Sequence, residues 1–289
     1  MTEIPGVTEQ TLEVGGIRLN VAQAGDGEPV LLLHGFPDNW RLWRHQMAAL
    51  VGAGRKVIAP DLRGMGASDK PDGPDQYAIP IVAGDMVGVL DALGLERVSV
   101  VGHDWGASVA WAMALFAPER VEKLVAVSVG HPHAFWAAGL QQKERSWYML
   151  WFQFPGVAEE ALPDKDWAFF REWIWAGAAR HTDPDMERQI ADLSRPGALA
   201  AALGYYRANI HPATYHHDRL PFDLPAVRCP VMGVWGSEDP ALTEEQMTGS
   251  AKHVEGEWRY ERLERVDHWV PVHAPDRLSE LLLDFLSAG

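Results

Sequence analysis

The segment Gly102-His103-Asp104-Trp105-Gly106 sets an acidic side chain between two glycines. An apolar run, RVSVVGH, leads into it, and a helical pattern, WGASVAWAMALF, follows. At so sharp a strand-to-helix turn the central residue is pushed out of the sheet, and small residues at 102 and 106 relieve the crowding. Its carboxylate then lies near the first turn of a helix expected over residues 105 to 117, where free N–H groups favour negative charge. Aspartate is also a common helix cap, so position alone does not establish chemistry. As a nucleophile, however, a carboxylate leaves an ester. Water can remove an ester through a tetrahedral intermediate, which splits one hard step into two easier ones.

Three other segments bring polar residues to the ends of apolar runs. PVLLLHG ends in His34 and Gly35, followed by Phe36 and Pro37; CPVMGVWG leads to Glu238 and Asp239; EWRYERLE is followed by Asp267, His268 and Trp269. The chain order is therefore nucleophile, acid, histidine. His268 alone among the histidines follows the last expected strand directly, and Asp239 could orient it, with Glu238 competing for that role. Backbone N–H groups of Phe36 and Trp105 are placed to hold an oxyanion. His34 and Asp61 also stand at strand ends but are expected to tie loops together.

Positioning these groups requires a particular scaffold. TLEVGG and IRLNVAQAG suggest an opening hairpin. PVLLLHG, KVIAPDL, RVSVVGH and KLVAVSV are continuous apolar runs suited to strands buried on both faces. Helical patterns separate them: WRLWRHQMAALVGAG, YAIPIVAGDMVGVLDALG and WGASVAWAMALFAPERV. The alternation predicts a mostly parallel sheet covered by helices, in whose open form ligands bind beyond the carboxyl ends of the strands. From residue 131 to residue 219 no strand is expected, only aromatic and charged helical segments. After PFDLP the alternation resumes with strand CPVMGVWG, helix TEEQMTGSAKH, strand EWRYERLE and helix PDRLSELLLDFLSA. The expected division is a core of residues 1–130 and 220–289 with a helical cap of residues 131–219.

Bulk properties narrow the class further. The chain has 289 residues, 47% hydrophobic and 22% charged, which excludes a largely disordered protein. A net charge of −15 argues against nucleic acid and against anionic membrane surfaces. The start MTEIPGVTEQ lacks the basic and apolar parts of a signal peptide, and no apolar run reaches spanning length. The single cysteine, Cys229, opens an apolar stretch and is expected to be a buried or half-buried thiol. These points predict a cytoplasmic protein; oligomeric state is open, a homodimer included. Many of the 13 tryptophans fall between residues 136 and 175, which suggests either an aromatic pocket or a dense helical core, the latter for most of them. His131, His133, His216 and His217 lack a carboxylate or cysteine at metal-ligand spacing and are expected at the two ends of the cap.

HGFPDNWRLWR (residues 34 to 44), GHDWGA, WGSED and DHW together resemble the epoxide hydrolase branch of the α/β-hydrolases. WYMLWFQFPGVAEEAL and GYYRANI resemble two cap segments of that branch that carry ring-opening tyrosines, at positions matching Tyr148 and Tyr206 rather than Tyr205. Tyr215 lies near the same end of the insertion. The resemblance implies an α/β-hydrolase fold with an inserted helical cap, and favours Asp239 over Glu238. It implies that Asp104 attacks an epoxide carbon while Tyr148 and Tyr206 hold the epoxide oxygen. His268, neutral and held by Asp239, then takes a proton from the water that attacks the ester. The Phe36 and Trp105 N–H groups hold the oxyanion, and both residues, with the two tyrosines, contact substrate. The implied partners are a small lipophilic epoxide and water, with no metal or organic cofactor. The resemblance further suggests a cis bond before Pro37.

The nearest rival is a hydrolytic dehalogenase using the same nucleophile and base. Haloalkane dehalogenases resemble the elbow, but typically carry a halide-binding asparagine at the position of Phe36. Fluoroacetate dehalogenases usually place arginines after the nucleophile, where this chain has Trp105 and Ser108. A binding protein on the same fold is opposed by the intact set of reactive positions.

Overall fold

The computed structural model describes residue 4, residues 6–173 and residues 184–287. Eight strands form one sheet: β1 (Thr8–Val14), β2 (Ile17–Ala24), β3 (Pro29–Leu33), β4 (Lys56–Pro60), β5 (Val98–His103), β6 (Val121–Val127), β7 (Val231–Gly236) and β8 (Trp258–Leu263). Their spatial order is β1-β2-β4-β3-β5-β6-β7-β8. The opening hairpin β1–β2 is antiparallel and β2 runs antiparallel to β4, while all later pairs are parallel. Every expected strand is present. Parallel register aligns Leu33 with Gly102, His103 with Val127, and Gly236 with Leu263. The carboxyl ends of β3, β5, β6 and β7 therefore open on one edge.

Strand side chains alternate between two cores, as the period of two requires. On one face Val30, Leu32, Val101, Val125 and Val234 pack under α1 (Arg44–Gly52) and, at the chain's end, a helix over Pro275–Ser287. That last helix presents Leu278, Leu281, Leu282 and Phe285, the spacing of an amphipathic stripe. On the other face Leu31, Leu33, Val100 and Leu124 pack under α2 (Ile79–Ala92) and α3 (Trp105–Phe116). α3 is covered on both sides, and its sequence is apolar almost all round for that reason. Two expected helices are shorter than their patterns. WRLW forms a 3-10 turn ahead of α1, and TEEQMTGSAKH divides into a helix over Glu244–Thr248 and a 3-10 turn over Gly249–His253.

Between β6 and β7 the described chain is helical: α4 (Pro132–Ala137), α5 (Gly139–Arg145), α6 (Tyr148–Trp151), α7 (Val157–Ala161), α8 (Asp164–Trp173), α9 (Pro184–Leu193) and α10 (Ala198–Asn209). α9 is tied to the loop after β3, where the buried Asp38 accepts from Arg188 Nη2 at 2.9 Å and Gln189 Nε2 at 2.8 Å. α10 lies against the Tyr77 ring, with no room for a side chain larger than glycine at Gly204. The tryptophans of this segment are not uniformly core. Trp136 and Trp167 are buried, whereas Trp147 is 46% exposed; Trp175 lies outside the described residues.

Candidate active site

The turn between β5 and α3 holds Asp104 at φ 54° and ψ −125°, a conformation that costs a non-glycine residue energy and turns its side chain away from the strand direction. The backbone is packed tightly enough that a methyl group at Gly102 would meet the Gly106 carbonyl, and one at Gly106 the Leu33 carbonyl. The carboxylate caps no N–H of the second or third helical residue. Instead Oδ1 accepts from the Phe36 N–H at 2.7 Å, and the Trp105 N–H also donates to the carboxylate. Of the two expected oxyanion donors, Phe36 is bonded to Oδ1 and the Trp105 N–H adjoins the carboxylate. The Phe36–Pro37 bond is cis.

Oδ2 faces the other way, 3.7 Å from His268 Nε2. His268 Nδ1 donates to Asp239 Oδ2 at 2.8 Å, and Asp239 Oδ1 accepts from the Ala241 and Leu242 N–H groups. Asp239 is buried, whereas its neighbour Glu238 is exposed. The competition between these two acids is thus decided by the direction of the turn after β7. The His268 carbonyl is held in turn by His103 Nε2 at 2.9 Å and Ser128 Oγ at 3.1 Å.

Burial opposes charge on both Asp104 and His268, yet their pairing outweighs it. Asp104 is pushed up by burial and brought below its ordinary value by the hydrogen bond and charge of His268, with the Trp105 N–H assisting. Burial lowers His268, but the charges of Asp239 and Asp104 raise it to about 10. His103 is lowered to about 3 by burial and the nearby His268, and is neutral. The two neighbouring carboxyl groups thus favour the protonated form of His268 in the free protein. The stabilisation from His268 protonation is full below pH 6.5 and is lost as pH climbs through about 10. That from Asp104 ionisation is present above pH 3.8 and is lost as pH falls through the depressed value. His268→Gln should accordingly flatten the fall in thermal midpoint between pH 6.5 and about 10. Equal slopes in the two proteins would assign that fall to other groups.

Tyr148, at the start of α6, and Tyr206, in α10, come together over the carboxylate. Their ring centroids are 5.9 Å apart, and Tyr206 packs edge-on against Trp105 at 5.1 Å and Phe36 at 5.5 Å. Both phenols are held well above the ordinary tyrosine value, by burial first and then by the charge of Asp104. They remain proton donors. The other tyrosines are used elsewhere: Tyr205 donates to the Arg63 carbonyl, and Tyr215 to the Lys143 and Ser146 carbonyls.

Asp104, Trp105, Phe36, Tyr148, Tyr206, Asp239 and His268 therefore meet at one place. Asp104 and Tyr148 line both of two adjoining cavities, of about 250 Å³ and about 100 Å³. His34 and Asp61 lie beneath: His34 Nε2 accepts from the Leu62 N–H, and Asp61 accepts from Trp40, Ala67 and Asn20. His131 stacks on His253 with centroids 4.4 Å apart, and no group of three or more metal-binding side chains occurs among the described residues. Burial raises the Cys229 thiol to about 11, as suits an inert side chain. Sequence reasoning missed His103 and Arg145. The first sits inside the elbow motif itself, and the second lies three residues before Tyr148, a spacing that puts both on one side of a helical segment.

A model of the alpha/beta hydrolase fold matches residues 28–274, and the chain belongs to that family. The relatives it resembles over nearly their whole length include epoxide hydrolases. Epoxide hydrolase A of Mycobacterium tuberculosis is 33% identical over 97% of each chain, and the AB hydrolase superfamily protein YfhM of Bacillus subtilis is 35% identical over 97% of this chain and 98% of its own. An epoxide hydrolase of Bacillus megaterium, solved with an inhibitor, superposes with a TM-score of 0.87 at 29% identity, covering 96% of this chain and all of that one.

Proposed function

We propose that this chain converts a lipophilic epoxide to a vicinal diol through an ester on Asp104. The observation that carries the reading is the placement of the Tyr148 and Tyr206 phenols around the same cavity as Asp104 and His268, with Asp239 behind the histidine. Asp104 Oδ2, free of the backbone donors, attacks a ring carbon; its C–O bond to the ring oxygen breaks as the new ester bond forms. Tyr148 and Tyr206 donate hydrogen bonds to the departing oxygen, which takes a proton from one phenol and becomes the first hydroxyl; the proton that His268 then gives up restores that phenol through solvent. Oδ1 becomes the ester carbonyl oxygen without leaving the Phe36 and Trp105 N–H groups.

Ester formation also changes His268. Esterified Asp104 has no charge, so one of the two carboxylates that hold the imidazolium proton is lost. The histidine can then release that proton and accept one from water, oriented by Asp239. Water attacks the ester carbonyl, the oxyanion forms where donors already wait, and collapse frees the diol and the carboxylate. Alkylation thus creates the base for the second step. No metal or organic cofactor enters the scheme. In this reading residues 131–219 act as the cap that carries the tyrosines, and residues 1–130 and 220–289 as the core that carries the rest.

A halide would need different partners. Phe36 supplies a ring packed on Tyr206 and Phe152 rather than an amide. The test is to incubate the purified protein separately with styrene oxide, 1-bromobutane and fluoroacetate, following diol and halide. Diol without halide is expected; halide without diol would overturn the reading. Tyr148→Phe and Tyr206→Phe should each lower the rate of ester formation by about tenfold, and the double variant by roughly a thousandfold, the scale of general acid catalysis. Hydrolysis of a preformed ester should be much less affected in single-turnover experiments. Unchanged alkylation in the double variant would remove the phenols from the mechanism.

A further inference from the structure

The two cavities that meet at Asp104 and Tyr148 differ in chemistry. The larger is walled by Leu115, Phe135, Trp136, Ile210 and Leu224, and Asp104 is its sole charged lining residue among those described. The smaller also contains Tyr206, His268 and Arg145, and Arg145 is the one lysine or arginine among the described residues that lines either space. Its Nη1 donates to the Asp239 carbonyl at 2.7 Å and the Leu242 carbonyl at 3.1 Å. Among the described residues no carboxylate lies within ion-pair distance of it, whereas the likewise partly buried Arg188 and Arg207 are paired with Asp38 and Glu159.

A guanidinium carries five N–H donors, and the two carbonyl bonds occupy only Nη1. They fix the group in place, so that little side-chain freedom remains to be lost when a ligand binds. Two backbone carbonyls do not neutralise its charge. The charges around the smaller cavity sum to zero when Asp104 and Asp239 are ionised and His268 and Arg145 are protonated, so neither a neutral nor an anionic acceptor meets net repulsion. The smaller space, about 100 Å³ against about 250 Å³ for its neighbour, must also admit the water that His268 activates. What else enters must be short.

The geometry points to an unsymmetrical epoxide as the substrate: a long apolar group in the larger cavity and, on the other ring carbon, a short substituent whose carbonyl oxygen accepts a hydrogen bond from Arg145. This inference rests on the epoxide reading above. It assigns Arg145 a part in choosing the substrate, beyond holding the Asp239 carbonyl.

The experiment uses trans epoxides that share a hexyl group and carry methyl, carboxamide or carboxylate on the second carbon. For each protein the kcat/KM of a carbonyl-bearing epoxide is divided by that of the methyl one, and the quotient in the variant is compared with wild type. Intrinsic reactivity of the substrates cancels in this cycle, and so does any general loss of activity. Arg145→Met is expected to lower the quotient about tenfold or more, mainly through KM, the scale of a hydrogen bond to a charged group. Arg145→Lys, which keeps a charge and is the milder change, should retain part of the preference. A carboxamide effect together with a carboxylate effect supports a shared carbonyl site, and a carboxylate effect alone supports the same site with its charge required. Turnover of the methyl epoxide with a quotient that Arg145→Met leaves unchanged overturns the inference and leaves the epoxide reading standing. No turnover of any of the three by wild type overturns both.

Discussion

Asp104→Ala is expected to abolish diol formation, with a loss of at least about ten thousandfold in kcat, while the protein keeps its fold. The size of the loss follows from the absence of a substitute. Asp239 Oδ2 is bonded to His268 and its Oδ1 to two backbone N–H groups, so it cannot move into the vacated place. Folding should survive because the turn is also fixed by the packing of Gly102 and Gly106 against backbone carbonyls, which the substitution leaves in place. The substitution removes a buried charge, and with it one of the two supports of the His268 proton. Circular dichroism and the thermal midpoint would report the fold, and diol yield the chemistry. Activity within tenfold of wild type would show that Asp104 is not the nucleophile.

His268→Gln separates the two steps. Ester formation needs Asp104 and the tyrosines, whereas hydrolysis needs a base beside the ester carbonyl; removing that base should slow release by about a hundredfold to ten thousandfold. The protein should then accumulate as an adduct heavier by the mass of one epoxide, and peptide mapping should place the added mass on Asp104. Addition should remain fast enough to give a burst of one equivalent. Glutamine keeps much of the histidine's volume, so the fold should hold around His103 and Trp269, which pack against the ring. A variant that neither turns over nor gains mass on a reactive epoxide would exclude the covalent ester. Normal turnover would exclude His268 as the base.

The parts of the protein that depend on local sequence were legible in advance. Strand runs such as PVLLLHG and RVSVVGH are apolar throughout because both faces of a parallel sheet are covered, and the glycines around Asp104 mark a turn that larger residues cannot make. The chain order Asp104, Asp239, His268 follows from which strand ends carry polar residues. The absence of strands between residues 131 and 219 was visible in the same way, and the described part of that segment is helical.

Adjacent residues with the same chemistry could be told apart from the sequence only through resemblance. Glu238 and Asp239 share one turn, yet one side chain reaches solvent and the other reaches His268. Tyr205 and Tyr206 are neighbours on a helix, where a single step rotates a side chain by about a quarter turn. Only the packing of α10 against Tyr77 and Trp105 shows that Tyr205 bonds the Arg63 carbonyl and Tyr206 faces Asp104. The protonation of His268 was equally hidden, because it depends on the distances of two carboxylates that lie 29 and 164 residues away in the chain. So were the two cavities that meet at Asp104 and Tyr148, and the place of Arg145 on the smaller one. Sequence sets which groups the strand ends carry, since that is local and periodic; tertiary packing decides which of them meet, since contact across the fold depends on side-chain direction and distance.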